Sequence, residues 1–304
     1  MQVVQLSSEK VTPAAAIAVF AHNEEAYIKT ALESLCPGES SGGLRIYVMA
    51  NGCTDATAEV VKGCAGALPD LWLVESAIGD KASAWNEFVH DVLTDQLLRG
   101  LRQCFFMDGD VWLRPGALKK LAAFLEEKTD LDAVGAMPAT GRDRDGWRRR
   151  MYENGVLAGN CYALRAEFIE QLRRQAVRMP KGLIGEDFLV SWLVASDDWR
   201  LVDGSHDRPR CGFNHLAEFA FRSLSPWSLS DWRTHFRRRW RYALRNVQHH
   251  MLVLLIREQG IAGMPRDVDE LYARAPMPHR PHGPGRPSLW DRAAVRWIRS
   301  KRAV

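Results

Sequence analysis

Phe105-Phe106-Met107-Asp108-Gly109-Asp110-Val111 is the point where a buried strand ends in a pair of acids. Three apolar residues, two of them aromatic, read as the last part of a strand. The strand breaks at Asp-Gly-Asp, where Gly109 allows a tight bend. Two carboxylates then stand at a strand's carboxyl end, where open α/β sheets bind ligands. Neighbouring carboxylates repel each other unless a proton or a cation sits between them. Hard divalent ions accept one or two carboxylates together with substrate phosphates. The turn therefore reads as a metal–diphosphate site, with a plain solvated Asp-Gly turn as the alternative.

Outward from this stretch, apolar runs alternate with helical patterns. Residues 14–21, 45–50, 71–75 and 132–137 read as strands, and 155–164 as a further apolar stretch with strand character. Helices are expected after His22-Asn23-Glu24-Glu25, after Asn51-Gly52-Cys53-Thr54-Asp55, over Ala82–Leu98 and from Pro115. Others are expected over 165–176, from Glu186, through 225–258 and over Ser288–Lys301. The arginine-bearing run Thr140–Arg150 reads as a loop. Strand–helix alternation up to about residue 130 predicts a parallel, doubly wound sheet. Asn23, Glu24 and Glu25 are explained as cap and first-turn acids, or as ligand contacts at a strand end. Lys81 opens a helix, where a cation opposes the dipole, which suits a neighbouring anion.

The chain has 304 residues, 46% hydrophobic and 26% charged, with a formal net charge of +4. That is an ordinary globular composition, and its modest charge gives no reason to expect nucleic acid. Arginines crowd 142–150, 233–245 and 286–302, which suits phosphate or an anionic membrane surface. Six cysteines include no Cys-x-x-Cys pair and read as reduced residues of a cytosolic protein. No leader pattern and no apolar run long enough to span a membrane is evident. The expected organisation is a catalytic domain over 1–224, an Arg/Trp-rich helical extension over 225–275, and a proline linker with a basic amphipathic helix over 276–304.

Several patterns occur in one order. They are Ala18–Glu25, Asn51–Thr57, Lys81-Ala82-Ser83-Ala84-Trp85-Asn86, Asp108-Gly109-Asp110, Gly159–Arg165 and Gly185-Glu186-Asp187-Phe188. Together they resemble family-2-type glycosyltransferases of the GT-A fold, over roughly residues 14–200. The resemblance implies a mostly parallel, Rossmann-like α/β sheet flanked by helices, with a helical C-terminal extension. It implies transfer of a sugar, with inversion, from a nucleotide-diphospho-sugar to a hydroxyl acceptor, such as a lipid-linked or cell-envelope glycan. Donor contacts would come from Ala21, Asn23, Glu25, Asn51, Asp55, Lys81, Asn86, Asp108, Gly109 and Asp110. Asp110, with Asp108, would hold Mn2+ or Mg2+. Asp187 would be the general base, with Glu186 as the other candidate. Gly159, Asn160 and Trp240 would meet the acceptor.

Two departures limit what is implied. Ala50 and Asn51 stand where the family commonly has a base-contacting aspartate, so base preference does not transfer. Phe236-Arg237-Arg238-Arg239-Trp240 has Phe where processive members have Gln or Arg. A nucleotidyltransferase and a catalytically inactive nucleotide-sugar-binding or membrane-docking module are the competing functions. The acidic, glycine-free turn at 22–25 argues against the first, and the intact acids against the second. Trp227, Trp232, Trp240, Trp290 and Trp297 among arginines suit either a headgroup interface or self-packing. A cytoplasmic site with peripheral contact at the inner membrane face is the corresponding expectation.

Overall fold

Four apolar runs lie side by side as parallel strands at the centre of one mixed sheet. In this computed structural model, which describes residues 1–7, 12–35, 43–196, 210–223, 229–277 and 288–302, the strands are β1 (Gln2–Gln5), β2 (Ala15–Ala21), β3 (Leu44–Asn51), β4 (Leu71–Ser76), β5 (Gln103–Asp108), β6 (Val111–Leu113), β7 (Ala133–Pro138), β8 (Cys161–Arg165) and β9 (Cys211–Phe221). The helices are α1 (Ile28–Glu33), α2 (Thr57–Gly63), α3 (Lys81–Asn86), α4 (Asp95–Gly100), α5 (Ala117–Glu127), α6 (Arg144–Asn154), α7 (Ala166–Arg174), α8 (Glu186–Ala195), α9 (Leu229–Gln259), α10 (Val268–Arg274) and α11 (Leu289–Arg302).

The strand order is β1-β4-β3-β2-β5-β8-β7-β9-β6. β4, β3, β2 and β5 run parallel. The chain winds from β2 through β3 to β4 on one side, then returns to place β5 on the other side of β2. This reversal opens a crevice outside the carboxyl ends of β2 and β5, the usual ligand position in such sheets. Phe20 pairs with Asp108 at that edge. All seven residues of β2 are buried, as expected of a strand covered on both faces.

Several expectations need correction. The arginine-rich run read as a loop continues into α6, which turns Trp147 onto Phe219 and Phe221 at 5.8 and 5.9 Å. The helix expected over Ala82–Leu98 is interrupted. A π-helical turn at Glu87–Val92 follows α3, and Thr94 caps α4 by accepting from Leu97 N at 3.1 Å. The stretch 155–164 becomes a strand only at Cys161. β1, β6 and β9 had no counterpart in the pattern reading.

The C-terminal helices share one apolar core with the sheet, which includes Val247, Leu255, Ala294 and Ile298. α11 packs along α9, with Trp297 edge-on to Trp240 at 6.1 Å and Trp290 beside Phe236 at 6.3 Å. Both tryptophans of the short basic helix therefore touch α9, with Trp297 still 38% exposed. Among the described residues, no helix is long and apolar enough to cross a membrane. Five described cysteines carry free thiols. Cys36, Trp227 and the proline-rich segment 278–287 lie outside the described residues.

Candidate active site

The Asp108-Gly109-Asp110 turn sits flush against the end of β2. Gly109 N donates to Phe20 O at 2.7 Å, and a Cβ on Gly109 would lie 2.9 Å from the same carbonyl. Close backbone approach is what the turn requires of Gly109. Beneath it, Phe106 stacks on Tyr162 at 4.9 Å and on Trp85 at 5.7 Å, and the Trp85 indole donates to the Tyr162 hydroxyl at 3.0 Å. These rings pin β5, β8 and α3 together.

Trp85 also fixes Lys81, which lies one turn earlier on α3. Asp80 caps that helix. Its carboxylate accepts from Ser83 N at 2.8 Å and from Gly182 N at 3.0 Å, tying the start of α3 to the segment before α8. The Lys81 ammonium then sits between Asp108 and Glu186, pairing with both carboxylates, and is 2.5 Å from Glu186. It also donates to Gly159 O at 3.2 Å. Burial pulls the Lys81 pKa down, but the two carboxylates outweigh it and hold the ammonium well above its ordinary range.

α8 begins at Gly185, whose φ of +84° is in the left-handed region. A Cβ there would lie 2.4 Å from Arg245 Cδ, so the start of α8 is pressed against α9. Glu186 is buried and satisfied by Lys81. Asp187 is half-buried in the cleft and accepts from Gly159 N at 3.0 Å and Phe188 N at 2.9 Å. The adjacent acids thus have different surroundings. Glu186 is locked to a cation, whereas Asp187 has backbone donors and faces open space.

Burial, reinforced by Asp110 and Glu186 and opposed by Lys81, pushes Asp108 up to about 7. Glu24 is pushed up to about 8 by burial and by Asp110, Asp108 and Asp55, with Arg238 opposing. Negative charge is therefore crowded at this strand end. Among the described residues, no three His, Cys, Asp or Glu side chains converge as a metal cluster. Asp108 and Asp110 instead fit an ion that completes its shell with diphosphate oxygens and water.

Other residues expected at the donor are bonded into the framework. Asn23, at φ +59°, accepts from Thr54 N at 2.7 Å. Asp55 accepts from Glu25 N at 3.1 Å, and Glu25 accepts from Ala56 N at 2.9 Å. These bonds stitch the turn after β2 to the turn after β3. The buried Asn51 side chain, with its amide turned so that the nitrogen faces Ala21 O, donates to it at 2.8 Å, and the backbone carbonyl of Asn51 meets the His22 ring at 2.7 Å. Asn86 clamps Met179 through both amide atoms, at 2.8 and 2.9 Å. It braces the scaffold outside the cleft. Trp240, expected at the acceptor, packs on Trp297 and does not line the cleft.

The cleft has a volume of about 1020 Å³. Lys81, Asp108, Asp110, Gly159, Asn160, Glu186 and Asp187 form one side. α9 forms the other with Arg238, Arg241, Tyr242 and Arg245, a three-to-four-residue spacing that places them on one helix face. α6 adds Arg150. α9 is anchored where Gln248 accepts from Ile184 N at 3.0 Å and His249 meets Ile184 O at 2.8 Å. Two contributors escaped the sequence reading, Asp80, whose capping role needed the distant Gly182, and Tyr242, while Glu24, read there as a first-turn acid or a ligand contact, joins the acidic cluster. The Glu24-Glu25 doublet was its visible signal.

The sequence model described as glycosyl transferase family 2 matches residues 16–183. No curated protein matches the chain. Among solved structures, one similar chain is the mannosyltransferase PcManGT from Pyrobaculum calidifontis in complex with GDP-Man and Mn2+. The TM-score is 0.54 at 18% identity, over 96% of this chain and 73% of that one. Another is S. aureus TarS 1-349 in complex with UDP, with a TM-score of 0.51 at 16% identity, over 77% of this chain and 65% of that one. At these identities the likeness is one of fold.

Proposed function

The chain belongs to glycosyl transferase family 2 and is a glycosyltransferase of GT-A fold, and from that premise we propose that it moves a sugar from a nucleotide-diphospho-sugar to an acceptor hydroxyl with a divalent ion and with inversion. The observation that carries this reading is the meeting, in one cleft, of Asp108 at the end of β5 and Asp110 in the turn after it, Lys81 from α3 and Asp187 from α8. The arginine face of α9 opposes them.

Asp110, with Asp108, would hold Mn2+ or Mg2+, and the ion when bound neutralises charge on the leaving diphosphate. The structural neighbour's Mn2+ complex supports this choice of ion. Lys81 positions Asp108 and holds Glu186 in place. Arg238, Arg241 and Arg245 offer cations to phosphate oxygens. Asp187 takes the acceptor proton as the acceptor oxygen bonds to the anomeric carbon. The bond from that carbon to the donor phosphate breaks, and the electron pair leaves with the nucleoside diphosphate. Asp187 lines the same cleft as Asp108 and Asp110, and in-line displacement with inversion is inferred from the family to which the chain belongs. The satisfied, buried state of Glu186 favours Asp187 as the base.

The catalytic unit is taken as residues 1–224, with α9 completing its cleft. A cytoplasmic site of action with peripheral membrane contact would rest on the cations of α11 together with its exposed apolar surface, Leu289 and the open part of Trp297. Equal sedimentation of the full chain and a chain ending at 275 with anionic vesicles would rule that contact out.

The central test is thermal stability with nucleoside diphosphates, with and without Mn2+. A ligand held only by the folded state raises stability as RT ln(1 + [L]/Kd). Asp110→Ala should lose the Mn2+-dependent part. Asp187→Asn should keep it while turnover falls by ~10²–10⁴. A Glu186→Gln change that cripples turnover while Asp187→Asn is mild would exchange the two roles.

A further inference from the structure

α9 does not end at the cleft. Beyond Arg245 the same helix forms the wall of a second cavity of about 400 Å³, and Asp187, Phe188 and Arg245 border both spaces. Asp187 therefore stands at a junction. On one side lie Lys81, Asp108 and Asp110. On the other, α9 presents Asn246, His250, Val253, Leu254 and finally Arg257.

The chemistry of this second space is lopsided. Arg245 and Arg257 bring two guanidinium groups, and Asp187 is the one acid on its wall. Among the described residues, the buried Arg245 Nε has no hydrogen-bond partner. Its guanidinium lies 5.0 Å from the centre of the Tyr242 ring, a contact that leaves N–H groups free to donate. Arg257 is exposed at the far end, twelve residues along α9 from Arg245 and thus ~18 Å away along the axis. Val253 and Leu254 supply an apolar floor between them. A base at one end, an apolar stretch and a cation at the other describe an elongated ligand. Its reacting hydroxyl and its charge would lie at opposite ends.

Resting on the reading of Asp187 as the base, we propose that this second cavity is the acceptor subsite and that it takes a hydroxyl compound carrying a phosphate monoester. The hydroxyl lies at Asp187 and the phosphate toward Arg257. Guanidinium groups favour phosphate because their paired N–H groups match its oxygens. The phosphate can belong to a soluble molecule or to a lipid headgroup, and the cavity presents the same cation to either.

The test is calorimetric titration of the full chain with 12-hydroxydodecyl phosphate, with 1,12-dodecanediol, and with lysophosphatidic acid bearing a 12-hydroxyacyl chain in neutral detergent micelles, so that hydroxyl and phosphate stand at opposite ends of each phosphate probe. Each is repeated on Arg257→Gln. Nucleoside diphosphate binding with Mn2+ is measured on both proteins alongside. The phosphate-bearing probe should bind more tightly than the diol, and Arg257→Gln should weaken it ~10- to 100-fold, the usual weight of a charge-assisted contact. Nucleoside diphosphate affinity should be the same in both proteins. Binding of 12-hydroxydodecyl phosphate identifies a soluble source, and binding of the lipid alone identifies a headgroup. Equal affinity of parent and Arg257→Gln for every phosphate probe, or no binding of either phosphate probe, overturns the proposal. Loss of nucleoside diphosphate binding in the parent would instead strike at the donor reading, so the two failures are separable.

Discussion

Lys81→Met removes the cation between Asp108 and Glu186 while keeping the length and apolar body of the side chain. The Glu186 side chain is 6% exposed, and those of Lys81 and Asp108 are 27% and 26% exposed. Removing one partner of a fully buried pair costs ~3–5 kcal/mol. The partial exposure of two members allows water to screen them, which lowers the expected loss to ~2–3 kcal/mol at pH 8. The sign with pH follows from the carboxylates. Asp108 is already pushed up to about 7 with Lys81 present. Without the ammonium, which opposes the upward shift, Asp108 holds its proton more strongly still in the folded state than in the unfolded one. A carboxyl group raised in this way favours the folded state at low pH, and that benefit is lost as pH rises. The deficit of Lys81→Met should therefore be largest at pH 8 and shrink toward pH 5.5. Urea unfolding of parent and variant at both values reads it directly. A deficit below ~0.5 kcal/mol at pH 8, or one of equal size at both pH values, would refute the ion triad as a buried, coupled unit.

Gly109→Ala places a methyl group 2.9 Å from the Phe20 carbonyl. Because that neighbour is backbone, the turn must shift, with an expected loss of ~1–3 kcal/mol and weakened Mn2+-dependent binding; unchanged melting and binding would contradict the close approach. His249 is buried against the Phe188 ring and pushed down to about 3 by burial and by Arg245. Its unfolded form gains a proton below about 6.5, so its contribution to stability is full above that value and falls as pH drops toward 3. His249→Phe should remove up to ~1.4 kcal/mol per pH unit of this slope between pH 6.5 and 5, and identical slopes in parent and variant would refute it. Asp108 and Glu24 act in the opposite direction but equally in both proteins, so the comparison isolates His249.

The central strands are legible because burial on both faces leaves nearly unbroken apolar runs, as in Ala15–Ala21 and Leu44–Asn51. α6 was hidden because arginines dominate it and Met151 is its one buried residue. β9 was hidden for a different reason. Its pairing with β7 jumps from Ala136–Asn214 to Met137–Glu218, so no period of two survives along it. At the site, Asp108, Asp110, Lys81 and Asp187 could be named from strand ends and helix starts, and they line one cleft. Asn23, Glu25 and Asp55 carry the right chemistry but spend it on each other, which only the meeting of two turns reveals. Trp240 could be named only as an aromatic among arginines, a local appearance that does not distinguish a ligand contact from the packing on Trp297 seen here. The α9 wall depended on the docking of Gly185 against Arg245, a contact between residues sixty positions apart in the chain.

The three-residue strand β6 has a consequence for how the molecule comes to be made. Val111 pairs with Phe221 and Leu113 with Phe219, and β9 is its one partner in the sheet. During synthesis, the acids at 108 and 110 emerge long before the strand that fixes the segment after them. Joining ends so distant carries an entropic cost that must be met before any pairing rewards it. The parallel centre from β2 to β5 can assemble while this edge is still waiting. A nascent chain halted between β8 and β9 should therefore hold its central strands yet leave the turn after Asp110 loosely tethered, so that full rigidity of the acidic turn arrives late in translation.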